Sequence, residues 1–136
     1  MDEAVIHAVS LVVYADGHFL LVRRGRPPAE GLFAFPGGRV ETGETAEEAV
    51  LRELHEETGL VADKISLLRE MVLDGDGGRR YRLEVFTALE AHGFLCAGDD
   101  ANHAGWYALD EMRRLPVTAS TLAVAEELTA RGNPCA

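Results

Sequence analysis

Residues 38–60 read GRVETGETAEEAVLRELHEETGL. The second half of this stretch predicts a helix of about 13 residues, roughly 20 Å long at 1.5 Å per residue. Thr45 suits the N-cap position, and Glu48, three residues later, would complete a capping box. Gly59 falls where a left-handed C-terminal cap is expected. We therefore predict a helix that begins after Thr45 and ends before Gly59.

The predicted helix carries three carboxylates on a face that would otherwise pack into the core. At 100° per residue, Glu53 and Glu57 continue an apolar stripe, and Glu56 lies at its edge. Acids this close repel one another by about 0.2–0.5 kcal/mol per exposed pair. A cluster of oxygen ligands on rigid backbone is what a hard divalent cation such as Mg²⁺ needs. The alternative is a solvated acidic face, which is the usual role of Glu-rich helix turns.

The spacing of the whole stretch resembles the nudix box, G-x5-E-x7-R-E-U-x-E-E-x-G-U, in which U is aliphatic. Every specified position matches: Gly38, Glu44, Arg52, Glu53, Leu54, Glu56, Glu57, Gly59 and Leu60. The resemblance implies the nudix fold, an α/β fold with a mixed β-sheet in an α/β/α sandwich, formed by residues 1–136 as one domain. It also implies a pyrophosphohydrolase that uses Mg²⁺, with Mn²⁺ as a substitute.

The resemblance implies roles for individual residues. Glu53, Glu56 and Glu57 would hold the metal. The Gly37 carbonyl and Asp100, from a later loop that precedes an aromatic strand, would complete the ligand set. Glu53 is the favoured general base, with Glu56 and Asp100 as rivals. For Asp100 the alternative is a solvated loop acid.

Two further residues of the box are expected to support the site. Arg52 has Glu56 four residues later on the same flank of the helix, so we predict that it orients Glu56 within the catalytic group. Glu44 lies just outside the helix start, where the helix dipole favours an anion. Local stabilisation is its favoured role, and a place behind the metal ligands is the alternative.

Arginines at the end of the second predicted strand are candidates for binding phosphate. Residues 4–14 and 18–24 predict a β-hairpin around an Asp-Gly turn. Arg23, Arg24 and Arg26 lie at its end, and guanidinium groups match phosphate oxygens. Adjacent strand residues face opposite sides, so only one of Arg23 and Arg24 can face a given pocket, and the family resemblance favours Arg24. The alternative is a solvent-facing basic edge.

The entry to the box combines aromatic residues with glycines. Phe35 is most simply a core residue, and the alternative is an aromatic floor under a nucleotide base. Gly37 and Gly38 allow a close approach that a Cβ would block. Further along, the pattern predicts strands over 62–73 and 80–90, a polar loop over 91–104, a short strand over 105–108, a helical turn over 109–114 and a helix over 118–131.

Composition excludes several classes of partner. The 136 residues carry 13 basic and 23 acidic side chains, a net charge of −10 that disfavours binding duplex nucleic acid. No run approaches the roughly 18 apolar residues of a membrane helix. The acidic N-terminus shows no signal-peptide pattern, and the two cysteines are too few for a disulfide framework. We expect a cytoplasmic protein whose partner is a small nucleotide.

The chain is most similar to the small bacterial nudix proteins described as ADP-ribose pyrophosphatases, so ADP-ribose is the leading substrate, cleaved to AMP and ribose 5-phosphate. A nucleoside triphosphate, including an oxidised one, is the alternative. The antimutator branch of the family tends to place an asparagine near the last helix, and residues 116–120, PVTAS, contain none. A non-catalytic nucleotide-binding domain is a second alternative, but it would be expected to have lost box carboxylates. The resemblance is also compatible with a homodimer.

Overall fold

The computed structural model describes residues 5–25, 29–98 and 101–132. Over these ranges the chain forms nine β-strands and three α-helices. The strands are β1 (Val5–Ala15), β2 (His18–Arg24), β3 (Phe33–Ala34), β4 (Gly37–Arg39), β5 (Val61–Ala62), β6 (Ile65–Asp74), β7 (Arg80–Ala88), β8 (Ala91–His92) and β9 (Ala101–Tyr107). The helices are α1 (Ala46–Thr58), α2 (Leu109–Met112) and α3 (Ala119–Ala130). Each helix is too short or too polar to traverse a lipid bilayer over the described part of the chain.

Strand β1 is the centre of a mixed sheet. It pairs in parallel with β7, and β6 continues the sheet antiparallel to β7. The end of β1 turns through Asp16 and Gly17, both at positive φ, into β2, which confirms the predicted hairpin. Strands β3 and β9 pair with β2, and β4 pairs with the middle of β1. Over the described residues the sheet therefore has seven strands, in the order β3-β2-β1-β7-β6, with β4 added at β1 and β9 added at β2.

Alternation along β1 divides the core into two layers. Val9, Leu11 and Val13 pack with α1 on one face of the sheet. Val12 points to the other face, where it joins the cluster that contains residues of α2 and α3. Successive strand side chains face opposite sides, so an almost continuous run of β-branched and aliphatic residues serves both layers. The predicted mixed sheet between helices is confirmed.

Helix α1 has the boundaries that its sequence predicts. The Thr45 side chain accepts a hydrogen bond from the Glu48 N–H, and the Glu48 carboxylate accepts one from the Thr45 N–H. At the other end Gly59 adopts φ 76° and donates its N–H to the His55 carbonyl. Both caps are local in sequence, which is why the helix could be placed within one residue of its observed ends.

The structure differs from the prediction in two places. The predicted strand over 62–73 is divided into β5 and β6 by a turn, because β5 pairs with β8 in a separate ribbon. The predicted loop over 91–104 was wrong in part, since it contains β8 and the start of β9. The start of β9 is a strand because it pairs with β2. Its own sequence is polar and does not alternate, so it gives no local indication of a strand.

Candidate active site

A cleft of about 730 Å³ lies where β2, β4, α1 and the start of α3 meet. Its charged lining includes Arg24, Glu53 and Glu57, next to the backbone of Gly37 and Gly38. Its larger aromatic and apolar lining residues include Phe35, Leu73, Tyr81 and Leu83. The cleft therefore combines carboxylates, a guanidinium group and aromatic surface, and its volume is within the range typical of small-molecule sites.

Glu57 is a buried carboxylate fixed by the backbone of strand β4. The residue is 6% exposed, and its Oε1 accepts a hydrogen bond from the Gly37 N–H at 2.8 Å. A Cβ on Gly37 would lie 2.1 Å from the Val9 carbonyl oxygen, so only glycine fits between β1 and α1 at this point. Gly37 and Glu57, both predicted site residues, are in contact through the Gly37 N–H, and the role of the Gly37 carbonyl as a metal ligand stays a prediction.

Glu53 faces the neighbouring glycine. A Cβ on Gly38 would lie 2.1 Å from Glu53 Oε2, which makes glycine a condition for this carboxylate to occupy its place. The Glu53 side chain is 17% exposed. Burial raises the pKa of Glu53 above its usual range, the positive charge of Arg52 opposes this rise, and Glu56 adds to it. The site thus holds a carboxylate whose charge is poorly solvated.

Arg52 joins the loop before α1 to the acidic turn. Its Nε and Nη2 donate to the two carboxylate oxygens of Glu44 at 2.7 and 2.9 Å. Its Nη1 donates to Glu56 at 2.9 Å and to Glu53 at 3.2 Å. Arg52 thus makes the contact with Glu56 that the sequence predicts, and its role in orienting Glu56 for catalysis stays a prediction. Hydrogen bonds from Arg52 and from the Glu41 N–H lower the pKa of Glu44 to about 2, which fits its predicted stabilising role.

The acidic residues are suited to a cation by chemistry, although they do not converge on one point. Arg52 engages Glu53 and Glu56, and Gly37 holds Glu57, so within residues 5–25, 29–98 and 101–132 no three acidic, histidine or cysteine side chains form a metal cluster. The donors are all oxygen and two of them are largely buried, which is the donor set that Mg²⁺ prefers. Asp100 lies outside the described residues.

The predicted phosphate-binding arginines separate as strand alternation requires. Arg24 lines the cleft. Arg23, in contrast, is not among the lining residues, and its Nε donates to the Gly31 carbonyl at 3.1 Å, which fixes the loop after β2. Arg26 lies outside the described residues.

Aromatic residues form part of the cleft wall. Phe35 is 4% exposed and packs 6.1 Å from the Phe19 ring, so it is a core residue that also reaches the cleft. Tyr81 lines the cleft as well, and sequence reasoning did not propose it. The alternation of Tyr81 with Leu83 along the strand could have indicated that the two share a face. Nothing in the sequence indicated the second contact, in which the turn at Gly75 packs so closely on the Tyr81 ring that a Cβ would lie 2.3 Å away.

Comparisons with known proteins add a family assignment to this geometry. The family model described as NUDIX domain matches residues 6–128. The ADP-ribose pyrophosphatase of Methanocaldococcus jannaschii is 40% identical over 109 residues, covering 79% of this chain and 64% of that protein. The 8-oxo-dGTP diphosphatase of Escherichia coli strain K12 is 51% identical over 65 residues, covering 47% of this chain and 50% of that protein. The chain therefore spans less than two thirds of the length of either relative.

Comparison with a solved structure confirms the predicted nudix fold over most of the chain. The NUDIX domain of Shewanella oneidensis NrtR, whose structure was determined in complex with ADP ribose, matches with a TM-score of 0.83 at 26% identity. The match covers 97% of this chain and 91% of that one.

Proposed function

Because this chain belongs to the NUDIX domain family, we propose that it is a metal-dependent hydrolase that cleaves the diphosphate linkage of a nucleoside diphosphate derivative. The observation that supports this proposal most directly is the shared cleft of Glu53, Glu57 and Arg24. Carboxylates can hold a cation against phosphate oxygens, and a guanidinium group can bind the same phosphates from another side. A protein of net charge −10 needs such local positive charge to accept an anionic ligand.

In this proposal Glu53, Glu56 and Glu57 hold Mg²⁺, or Mn²⁺ in its place, and the Gly37 carbonyl and Asp100 are the additional ligands. When bound, the cation neutralises diphosphate charge and lowers the pKa of a water molecule. Glu57 is fixed in advance by the Gly37 N–H. Glu53 and Glu56 share the Arg52 guanidinium, which limits their repulsion and holds Glu56, which does not line the cleft, beside Glu53, which does.

Glu53 is the proposed general base. Its carboxylate lies at the cleft wall against Gly38, and burial raises its pKa toward the range in which a carboxylate accepts a proton efficiently. It would take the proton of the water that attacks phosphorus, and the bond to the bridging oxygen would break as the new P–O bond forms. Glu56 and Asp100 are the rival bases.

ADP-ribose is the proposed substrate, with AMP and ribose 5-phosphate as products. The name of the Methanocaldococcus jannaschii relative and the ligand of the NrtR domain support this choice. Phe35 and Tyr81 supply aromatic surface for a base in the same cleft. Hydrolysis of a nucleoside triphosphate to monophosphate and pyrophosphate is the second candidate, favoured by the 51% identity to the Escherichia coli 8-oxo-dGTP diphosphatase over 65 residues.

A substrate panel tests the proposal. The purified protein would be incubated with saturating Mg²⁺ and ADP-ribose, ATP, dGTP or 8-oxo-dGTP, and the products would be separated by ion-exchange chromatography. We expect the highest kcat/KM with ADP-ribose and no turnover in EDTA. A higher kcat/KM with 8-oxo-dGTP would select the second candidate. Binding without any hydrolysis would identify a non-catalytic nucleotide-binding domain. The homodimer stays a prediction, which light scattering on the same sample would check.

A further inference from the structure

Residues 93–98 lie along the last turn of α1. The Cys96 N–H donates to the Thr58 carbonyl at 2.8 Å, and the Gly98 N–H donates to the Glu57 carbonyl at 3.2 Å. The final carbonyls of a helix have no partner within the helix itself, so this segment supplies the partners. Leu95 packs against the core beneath α1 and anchors the segment there. The turn that carries Glu56 and Glu57 is thus held from outside by a second piece of chain.

Glycines make this contact close. A Cβ on Gly59 would lie 3.0 Å from the Phe94 carbonyl oxygen, and one on Gly98 would lie 2.6 Å from the Glu56 carbonyl oxygen. Gly59 also needs its left-handed φ, whereas Gly98 does not adopt a left-handed φ. An alanine at position 98 would therefore be unfavourable only because its Cβ has no space. The atom that it would clash with is the carbonyl oxygen of Glu56, a proposed metal ligand.

We propose that Gly98 is a positioning residue for the carboxylates of Glu56 and Glu57, an inference that rests on the proposed function of this turn. Glu57 is held at both ends, by Gly98 at its carbonyl and by Gly37 at its carboxylate. Ordinary van der Waals contact begins near 3.4 Å, so a Cβ at 2.6 Å forces a backbone shift of up to about 0.8 Å. Ligand distances in metal sites are expected within about 0.2 Å of their standard values, so a shift of this size is large enough to disturb a ligand.

The experiment compares Gly98→Ala with Gly105→Ala. Gly105 lies on β9, and its Cβ would meet the side chains of Tyr107 and His103 at 3.2–3.3 Å, so it controls for adding a methyl group in a tight place. Mn²⁺ binding would be measured by electron paramagnetic resonance, and the Mg²⁺ dependence of hydrolysis would be measured beside it. We expect Gly98→Ala to weaken metal binding about ten-fold, as other supporting residues of metal sites do, and Gly105→Ala to leave it unchanged.

The Mg²⁺ dependence of the lost activity distinguishes displaced carboxylates from a general disruption of the fold. Saturating Mg²⁺ should restore most of kcat to Gly98→Ala, because its carboxylates are displaced and not removed. Wild-type Mn²⁺ affinity in Gly98→Ala would overturn the inference and leave the proposed hydrolase standing. If the wild-type protein binds Mn²⁺ but hydrolyses no nucleotide, the hydrolase proposal is wrong. The role of Gly98 would then be tested only by comparing the Mn²⁺ affinities of Gly98→Ala and the wild-type protein.

A measurement on the wild-type protein decides the matter even where Gly98→Ala does not fold. Amide hydrogen exchange would be followed with and without Mg²⁺. If metal binding stiffens the last turn of α1, the Cys96 and Gly98 amides that donate to it should exchange several-fold more slowly with Mg²⁺. Exchange rates that do not respond to Mg²⁺ at these two amides would overturn the inference.

Discussion

The two ends of α1 are held by different kinds of contact. At the first turn, Thr45 and Glu48 bond each other within three residues of sequence. At the last turn, Glu57 is bonded by Gly37, twenty residues earlier, and by Gly98, far later in the chain. The first turn is therefore a local device for helix stability. The last turn has a local cap too, at Gly59, but the tertiary fold adds these distant contacts to it, and it carries the acids to which we assign the chemistry.

The largest effect is expected at the last turn. Glu57→Gln keeps an oxygen that can accept from the Gly37 N–H but removes the negative charge. We expect kcat/KM to fall by roughly 100-fold or more, because even residues that only support metal ligands cost 10–100-fold. The thermal midpoint should stay close to that of the parent. Turnover near the parent rate at saturating Mg²⁺ would show that Glu57 is not a metal ligand and would remove the functional contrast between the two turns.

Arg52 connects the two ends, so its replacement should affect both activity and stability. A lysine cannot reproduce the guanidinium fork on Glu44 while also donating to Glu56. For Arg52→Lys we expect kcat/KM to fall about 10-fold and the free energy of unfolding to fall by about 1–3 kcal/mol. The matched control is Arg82→Lys, since Arg82 pairs with Glu70 at an exposed site and should change stability by less than about 1 kcal/mol. Equal effects of the two substitutions would contradict a special role for Arg52.

The pairing of Arg52 with Glu44 can also be tested through the pH dependence of stability. Its folded pKa of about 2 lies below the usual value of 4.5, so its contribution to stability is complete above pH 4.5 and is lost as pH falls toward 2. Glu44→Gln should lower the free energy of unfolding at pH 7 by about 1–3 kcal/mol and should make the protein lose less stability on acidification. Urea unfolding at pH 7 and pH 3 measures both quantities. Glu47→Gln, at an exposed position of α1, is the control, and a parallel pH dependence in both variants would refute the assignment.

The same contrast explains what the sequence could predict. The caps of α1 and the pairing of Arg52 with Glu56 depend on neighbours within four residues, and all of them are present. Alternation also predicted that only one of Arg23 and Arg24 faces the cleft. The Gly98 contact and the Tyr81 wall depend on how distant strands and loops fold back, and no local period encodes that. The helical pattern together with the resemblance to the nudix box thus singled out the acids, and tertiary contacts determine how they are held.

The smallest effect is expected at the first turn, where the contact is purely local. Thr45→Ala removes the side-chain oxygen that accepts from the Glu48 N–H at 3.1 Å. Loss of such a cap lowers the free energy of unfolding by about 1 kcal/mol. Because the acidic turn is fixed separately by Gly37 and residues 93–98, kcat/KM with the best substrate should stay within about two-fold of the parent, which corresponds to less than about 0.5 kcal/mol. Steady-state kinetics and thermal unfolding on one preparation would measure both, and a large fall in kcat/KM would mean that strain at the first turn is transmitted along α1 to its acids.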